Sequence, residues 1–375
     1  MAGPLGRLSE QGVSVWVDSI ARDWLEKNEL RRLVDEFAVV GVTSNPTIFQ
    51  AAMSAGSFYD EQLAGLARDG LDTPAIFERL ALDDIDRAAK ELRPVHEASD
   101  GLDGLVSYEV APDLARDTER TTSEAARLFG ALGHPNVMIK IPATAEGLPA
   151  IRTSIANGVN VNVTLIFSID RYRAVVDAYQ SGLEERIAKG QPVDHIRSVA
   201  SFFVSRVDVL VDPLLEQRAS NSTEDADLAA ARLGTAAIDN AKLAYEAWGE
   251  LFDGPRWADL AAQGARPQRC LWASTSTKNP AYRDVIYSEE LIGRDTVNTM
   301  PLGTIEAFSD HGRVEGQTIL KDLDRAHRLW SELGSLGIDE AWVGQRLEDE
   351  GVDKFADSYQ AVLDTVEAKR AAALT

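Results

Sequence analysis

Residues 160–165 read Asn-Val-Asn-Val-Thr-Leu, polar and aliphatic residues in strict alternation. Successive side chains of a strand point to opposite faces, so Asn160, Asn162 and Thr164 share one face while Val161, Val163 and Leu165 share the other. A helical pattern precedes the run at 145–157. Another follows at 168–189, opened by Ser168 with Asp170 in its first turn. Strands flanked in this way belong to covered sheets, and an aliphatic face suits a helix layer. The amides and the hydroxyl must then line an enclosed interior. A solvated face on an edge strand is the plain alternative, and the flanking helices oppose it.

Outward from this run, short apolar stretches alternate with longer helical patterns along most of the chain, the sequence form of a parallel α/β protein. Strands are expected at 13–17, 39–43, 104–109, 137–141, 160–165, 198–203, 270–273 and 297–300. Eight strands close a (β/α)₈ TIM barrel, which needs roughly 250 residues. The 375 residues here leave room for insertions. Residues 20–36 and 119–132 read as helices, the second with Thr118 as its cap. Extra helices are expected within 47–103. A long Ala-rich helix or helix pair is expected within 207–266, broken at Ser220-Asn221-Ser222-Thr223-Glu224-Asp225. Residues 304–375 read as several C-terminal helices ending in a frayed, Ala-rich tail. No repeat or linker splits the chain, so one barrel domain covering 1–375 is expected.

Composition narrows the function. The chain carries 38 basic and 60 acidic residues, a net charge of −22. Such a field repels nucleic-acid phosphates, so extended DNA or RNA binding is not expected. An anionic substrate would need local basic groups. One cysteine, Cys270, excludes an intramolecular disulfide framework and agrees with a reducing cytosol. No apolar run reaches the ~18 residues of a membrane helix, and residues 1–12 hold none of secretory length, so a cytoplasmic protein is expected. The histidines (His96, His134, His195, His311, His327) lack ligand spacing, and no glycine-rich phosphate loop opens a helix after a strand. Neither a metal nor a nucleotide cofactor is expected.

In a barrel of this kind the chemistry sits at the C-terminal strand ends. In Val137-Met138-Ile139-Lys140-Ile141, the lysine points inward with Met138, and Pro142 ends the strand. A charge buried there is costly unless it is used or lost, and its loss leaves the free amine that imine chemistry requires. A strand-end lysine reaching out to water is the ordinary alternative. The neighbouring strands favour the interior. Glu109 alternates inward with Ser107 and reaches the same end. Asp18 follows Ser14 and Trp16 on one face of the first strand, although a helix-start acid would read the same. After the second strand, Thr43-Ser44-Asn45-Pro46 is a polar turn placing Asn45 over the barrel mouth. Ser201, Arg206, Ser274 and Lys278 supply the hydroxyl and basic groups that hold a phosphate.

These residues, in this order, resemble the transaldolase family. Gly41-Val42-Thr43-Ser44-Asn45-Pro46-Thr47-Ile48-Phe49 resembles one family signature. Val137 to Thr144, continuing through Glu146-Gly147-Leu148, resembles the signature around the imine-forming lysine. Asn160–Ser168 and Ser201–Asp208 match two further blocks. Trp272-Ala273-Ser274-Thr275-Ser276-Thr277-Lys278-Asn279-Pro280, with the long stretch before it, looks like the larger bacterial subgroup. The resemblance covers about residues 12–310.

The resemblance implies a cofactor-free enzyme in which Lys140 forms a Schiff base with a ketose phosphate. It makes Asp18 the acid/base at the bond that breaks, with Glu109 and Thr164 holding a catalytic water. Asn45 and Asn162 would bind the dihydroxyacetone portion, and Arg206, Ser201 and Ser274 the phosphate. Shorter family members carry an arginine where Lys278 stands. The implied reaction moves a dihydroxyacetone unit between sugar phosphates. The alternatives are a Schiff-base aldolase releasing dihydroxyacetone and a non-catalytic sugar-phosphate-binding barrel. Small aldolases that resemble this family lack insertions like 47–103 and 207–266. A binding-only barrel would be expected to lose one of Asp18, Glu109 or Lys140. Monomer and homodimer both stay open.

Overall fold

A computed structural model describes residues 3–221 and 225–374. Eight strands close a barrel in chain order: β1 (Val13–Val17), β2 (Val39–Thr43), β3 (Leu105–Glu109), β4 (Val137–Pro142), β5 (Val161–Ile166), β6 (Ser198–Phe203), β7 (Arg269–Ala273) and β8 (Thr296–Met300). Every neighbouring pair is parallel. The fold is the expected (β/α)₈ barrel, and each strand bound falls within one residue of its sequence reading. The aliphatic positions of β4 and β5 pack under the helices Gly147–Ala156 and Ile169–Ala188.

Several helical expectations change. Residues 20–36 form two helices, Arg22–Glu26 and Glu29–Phe37, because Asn28 adopts a left-handed φ of 58° between them. Thr118 is the first residue of its helix, not the cap; the Asp117 carboxylate accepts from Arg120 N at 3.0 Å. Ser168 does cap the helix after β5, accepting from Arg171 N at 3.3 Å. The 47–103 connection holds Pro46–Ser54, Asp60–Arg68 and Thr73–Ala98. The 207–266 stretch is more broken than one helix or a pair: Ser205–Asn221, Ala226–Arg232, Ala236–Phe252 and Pro255–Ala262. Pro255 opens the last of these, where its missing N–H costs nothing. Residues 222–224 of the expected polar break lie outside the described residues.

The C-terminal tail is not frayed. It belongs to a long helix, Glu340–Ala373, that crosses the barrel mouth and packs on β5 and the helix Pro46–Ser54. Near its end Lys369 Nζ donates to Asp60 at 2.7 Å and to the Gly56 carbonyl at 3.1 Å, while Arg370 Nε donates to Leu71 O at 3.1 Å. An additional helix, Pro4–Glu10, packs its Leu5 and Leu8 near β1.

The barrel interior is layered, as the alternation requires. At the N-terminal end Arg269 of β7 donates across the lumen to Ser14 of β1 at 2.8 Å. Above it the Trp16 indole fills the bore. A Cβ on Gly41 would fall 2.5 Å from that ring, so only glycine fits at this point of β2. A polar chain crosses next: Asn162 donates to Ser107 Oγ at 3.0 Å, and Ser201 donates to Asn162 Oδ1 at 2.7 Å. Beyond that layer the barrel opens.

Candidate active site

Parallel register sets Glu109 of β3 beside Lys140 of β4. Lys140 Nζ lies 3.1 Å from Glu109 Oε2 and donates to the Ser44 carbonyl at 3.0 Å. The two residues are 4% and 7% exposed. Burial pushes the Glu109 carboxyl up, and the Lys140 charge opposes that shift. Thr164 pairs with Pro142, at the end of the strand that carries Lys140. Among the described residues, neither Glu109 Oε1 nor Thr164 Oγ1 has a hydrogen-bond partner, although both are buried. Buried polar atoms of this kind are ordinarily satisfied.

Asp18 follows β1, its N–H held by the Met300 carbonyl at 2.8 Å. Thr43 donates to Asp18 Oδ1 at 2.6 Å. Thr299 Oγ1 stands 2.6 Å from the same Thr43 oxygen. Thr43 has one hydroxyl proton, so Thr299 donates to Thr43 and the chain runs toward the carboxylate. Burial raises the Asp18 carboxyl, against the opposing charge of Lys140, the Thr43 hydrogen bond and the charges of Arg206 and Lys278. A carboxylate pushed upward beside a buried amine is the kind of pair that acid–base catalysis uses.

A cavity of about 600 Å³ opens above these groups. Its walls include Asp18, Asn45, Lys140, Thr164, Ser201, Arg206, Ser274 and Lys278. Asn45 spends Oδ1 on capping the helix Pro46–Ser54, accepting from Ile48 N at 3.0 Å, and its amide nitrogen remains for a ligand. Two of the residues named from the sequence stand outside the cavity lining. Glu109 touches Lys140 but lines a neighbouring pocket with Ser44, Asn45 and Tyr108. Asn162 is fully buried, with its amide engaged by Ser107 and Ser201.

The same cavity also carries cations, Arg206 and Lys278. Arg206 stacks its guanidinium 5.0 Å from the Phe203 ring centroid. Ser274, held at a left-handed φ of 56°, turns its hydroxyl to 2.9 Å from Ser205 Oγ. Lys278 Nζ contacts Ser276 Oγ at 2.5 Å. Burial lowers both the Arg206 and Lys278 pKa, so each gains from an anion beside it. Among the described residues neither cation forms an ion pair. No set of three or more His, Cys, Asp or Glu side chains forms a possible metal cluster there, and no described helix is long and apolar enough to cross a membrane.

Sequence reading missed Thr43, Ser205, Thr299, Glu350, Lys354 and Phe355, all on the cavity wall. Alternation along β2 and β8 would have turned Thr43 inward with Gly41, and Thr299 inward with Val297. For the residues of the helix Glu340–Ala373 no comparable signal exists, because nothing local says which face meets the barrel.

The family model described as Transaldolase/Fructose-6-phosphate aldolase matches residues 15–366. The chain belongs to this family. The transaldolase of Parafrankia sp. (strain EAN1pec) is 50% identical over 366 residues, covering 98% of each chain. That of Thermobifida fusca (strain YX) is 50% identical over 372 residues, covering 99% of this chain and all of the other. That of Mycolicibacterium smegmatis is 48% identical over 369 residues, again 98% of each. The family model spans transferases and aldolases alike; these full-length relatives carry the transferase's name, and the chain is an enzyme of the transaldolase type.

Proposed function

We propose that this enzyme moves a three-carbon dihydroxyacetone unit from a ketose phosphate to an aldose phosphate through a Schiff base on Lys140. The donors are of the sedoheptulose 7-phosphate or fructose 6-phosphate type. The acceptors are of the glyceraldehyde 3-phosphate or erythrose 4-phosphate type, as in the non-oxidative pentose phosphate pathway of the cytoplasm. The observation that carries the reading is the Lys140 amine beside Glu109, in a cavity also lined by Arg206 and Lys278.

Lys140 must attack the ketose carbonyl as a neutral amine, and the carbinolamine then loses water. Glu109 and Thr164, with their unpartnered oxygens, hold the water that carries protons in that step and in the later hydrolysis. The resulting iminium draws the electron pair of the bond that breaks. Asp18 takes the proton of the hydroxyl that becomes the aldehyde, general-base help worth roughly 10²–10⁴ in rate. The enamine stays on Lys140 until an acceptor aldehyde arrives. Asp18 then returns the proton as the new bond forms.

Arg206, Lys278, Ser201 and Ser274 hold the phosphate, and Asn45 holds the three-carbon end. Asn162 acts from one layer below, keeping Ser107 and Ser201 in place. An assay of fructose 6-phosphate with and without erythrose 4-phosphate tests the reading. Glyceraldehyde 3-phosphate should form continuously only when the acceptor is present, and without it stop at about one equivalent per active site. Steady release of free dihydroxyacetone without acceptor would instead identify an aldolase, and no turnover in either case a binding protein.

A further inference from the structure

The helix Glu340–Ala373 puts Leu347, Glu350, Lys354 and Phe355 on the cavity wall. Its close approach depends on Gly351: a Cβ there would fall 2.8 Å from Leu165 Cδ2 and 3.3 Å from Arg206 Nη1. Residues three apart on a helix share a face, so Lys354 follows Gly351 over the mouth. The Phe355 ring centroid lies 5.8 Å from Lys140 Nζ and also 5.8 Å from Arg206 Cζ. The helix therefore spans from the amine to the Arg206 guanidinium.

Three cations gather in that one cavity. With 60 acidic residues against 38 basic ones, cations have no shortage of partners. Three buried arginines elsewhere use them: Arg22 pairs with Asp84, Arg232 with Asp239 at 2.8 Å and Arg269 with Asp103 at 3.2 Å, while Arg186 donates to the Pro192 and Ala156 carbonyls instead. Among the described residues, Arg206, Lys278 and Lys354 form no ion pair, yet all three line one cavity. Glu350 lines it too, but its carboxylate is paired with Arg346. Burial is the first cause that lowers the Lys278 pKa, and the Lys354 charge is the second, so the two ammonium groups act on each other. The Asp18, Glu109 and Glu350 charges act on Arg206, and Asp18 on Lys278, but no carboxylate pairs with either cation among the described residues, so the gathered cations favour a bound anion.

We propose that Lys354 is a third cation of the phosphate cradle, so that the C-terminal helix reads the phosphate of donor and acceptor alike. The inference rests on the proposed sugar-phosphate chemistry and adds a binding residue from an element outside the eight strands. Lys354 is exposed, so its contribution is screened by salt.

Lys354→Met and Lys354→Arg test it. For Lys354→Met, KM for fructose 6-phosphate and erythrose 4-phosphate should rise about tenfold, with kcat within about twofold. Inhibition by inorganic phosphate should weaken in parallel, and added salt should narrow the gap. Lys354→Arg should restore most of the affinity. With unphosphorylated glyceraldehyde as acceptor, the acceptor KM should be the same for parent and variant. An unchanged KM with unchanged phosphate inhibition would overturn the assignment, as would an equal loss with glyceraldehyde. If the unmutated enzyme itself transfers no three-carbon unit, the functional reading falls and this inference with it. An active parent with an indifferent Lys354→Met variant removes the inference alone.

Discussion

Glu109 Oε2 and Lys140 Nζ stand 3.1 Å apart where neither group meets bulk water. Taking both charges out of solvent costs several kcal/mol per ion, so a buried pair is weak evidence for stability. On the proposed reading its value lies in chemistry: a carboxylate with a free oxygen next to an amine can move protons during imine formation. Glu109→Gln keeps the volume and removes the base. Its kcat should fall roughly 10²–10⁴-fold while the thermal midpoint moves by no more than a few degrees. Single-turnover imine formation should slow by the same factor as kcat. A variant that melts early but keeps its rate would make the pair structural.

Asp18 makes the opposite trade between stability and function. Its folded pKa is raised above the unfolded value, mainly by burial. The stability linked to its proton is complete below the ordinary value of 3.8 and is lost as pH rises through the folded pKa. Above that pKa the protein carries a disfavoured carboxylate. Asp18→Asn should be inactive yet melt a few degrees higher than the parent at neutral pH, with the gap closing as pH falls toward 3.8. Melting curves across that range check the sign. The acid limb of the parent's kcat profile should likewise lie above the ordinary carboxylate range.

Arg206 has aromatic neighbours, and although the Glu109, Glu350 and Asp18 charges act on it, it forms no ion pair among the described residues. Arg206→Ala should raise KM for phosphorylated substrates by about 10–100-fold, the worth of a charge-assisted hydrogen bond. Unphosphorylated substrates should be nearly indifferent to the change. Equal losses on both would mean that Arg206 supports the fold and not the ligand.

Asn162 separates two roles that sequence cannot. Resemblance puts its amide on the substrate, whereas in the barrel it links Ser107 to Ser201. Asn162→Ala leaves both hydroxyls short of a partner in a closed core and should cost about 2–4 kcal/mol of stability. A thermal melt reads this directly. A variant that melts like the parent but binds ketose poorly would return the amide to the ligand.

The strands and the inward polar residues were legible because period-two alternation is a local signal. Lys140, Glu109 and Asp18 each announced a face by their neighbours. Their distances were not legible, since these follow from the shear of the closed barrel. The same limit hid Asn162's partners, which come from β3 and β6. Lys354 and Phe355 were invisible for a different reason. A 34-residue helix has polar groups on most of its surface, and only its docking against Leu165 selects which of them meet the cavity. The left-handed turn at Asn28 also gave no advance sign, because asparagine tolerates that conformation without requiring it.

Borohydride reduction in the presence of fructose 6-phosphate, followed by peptide mapping, tests the central claim most directly. A reduced three-carbon adduct on Lys140, absent in Lys140→Ala, is the predicted result. Label on any other lysine, or full turnover by Lys140→Ala, would contradict it.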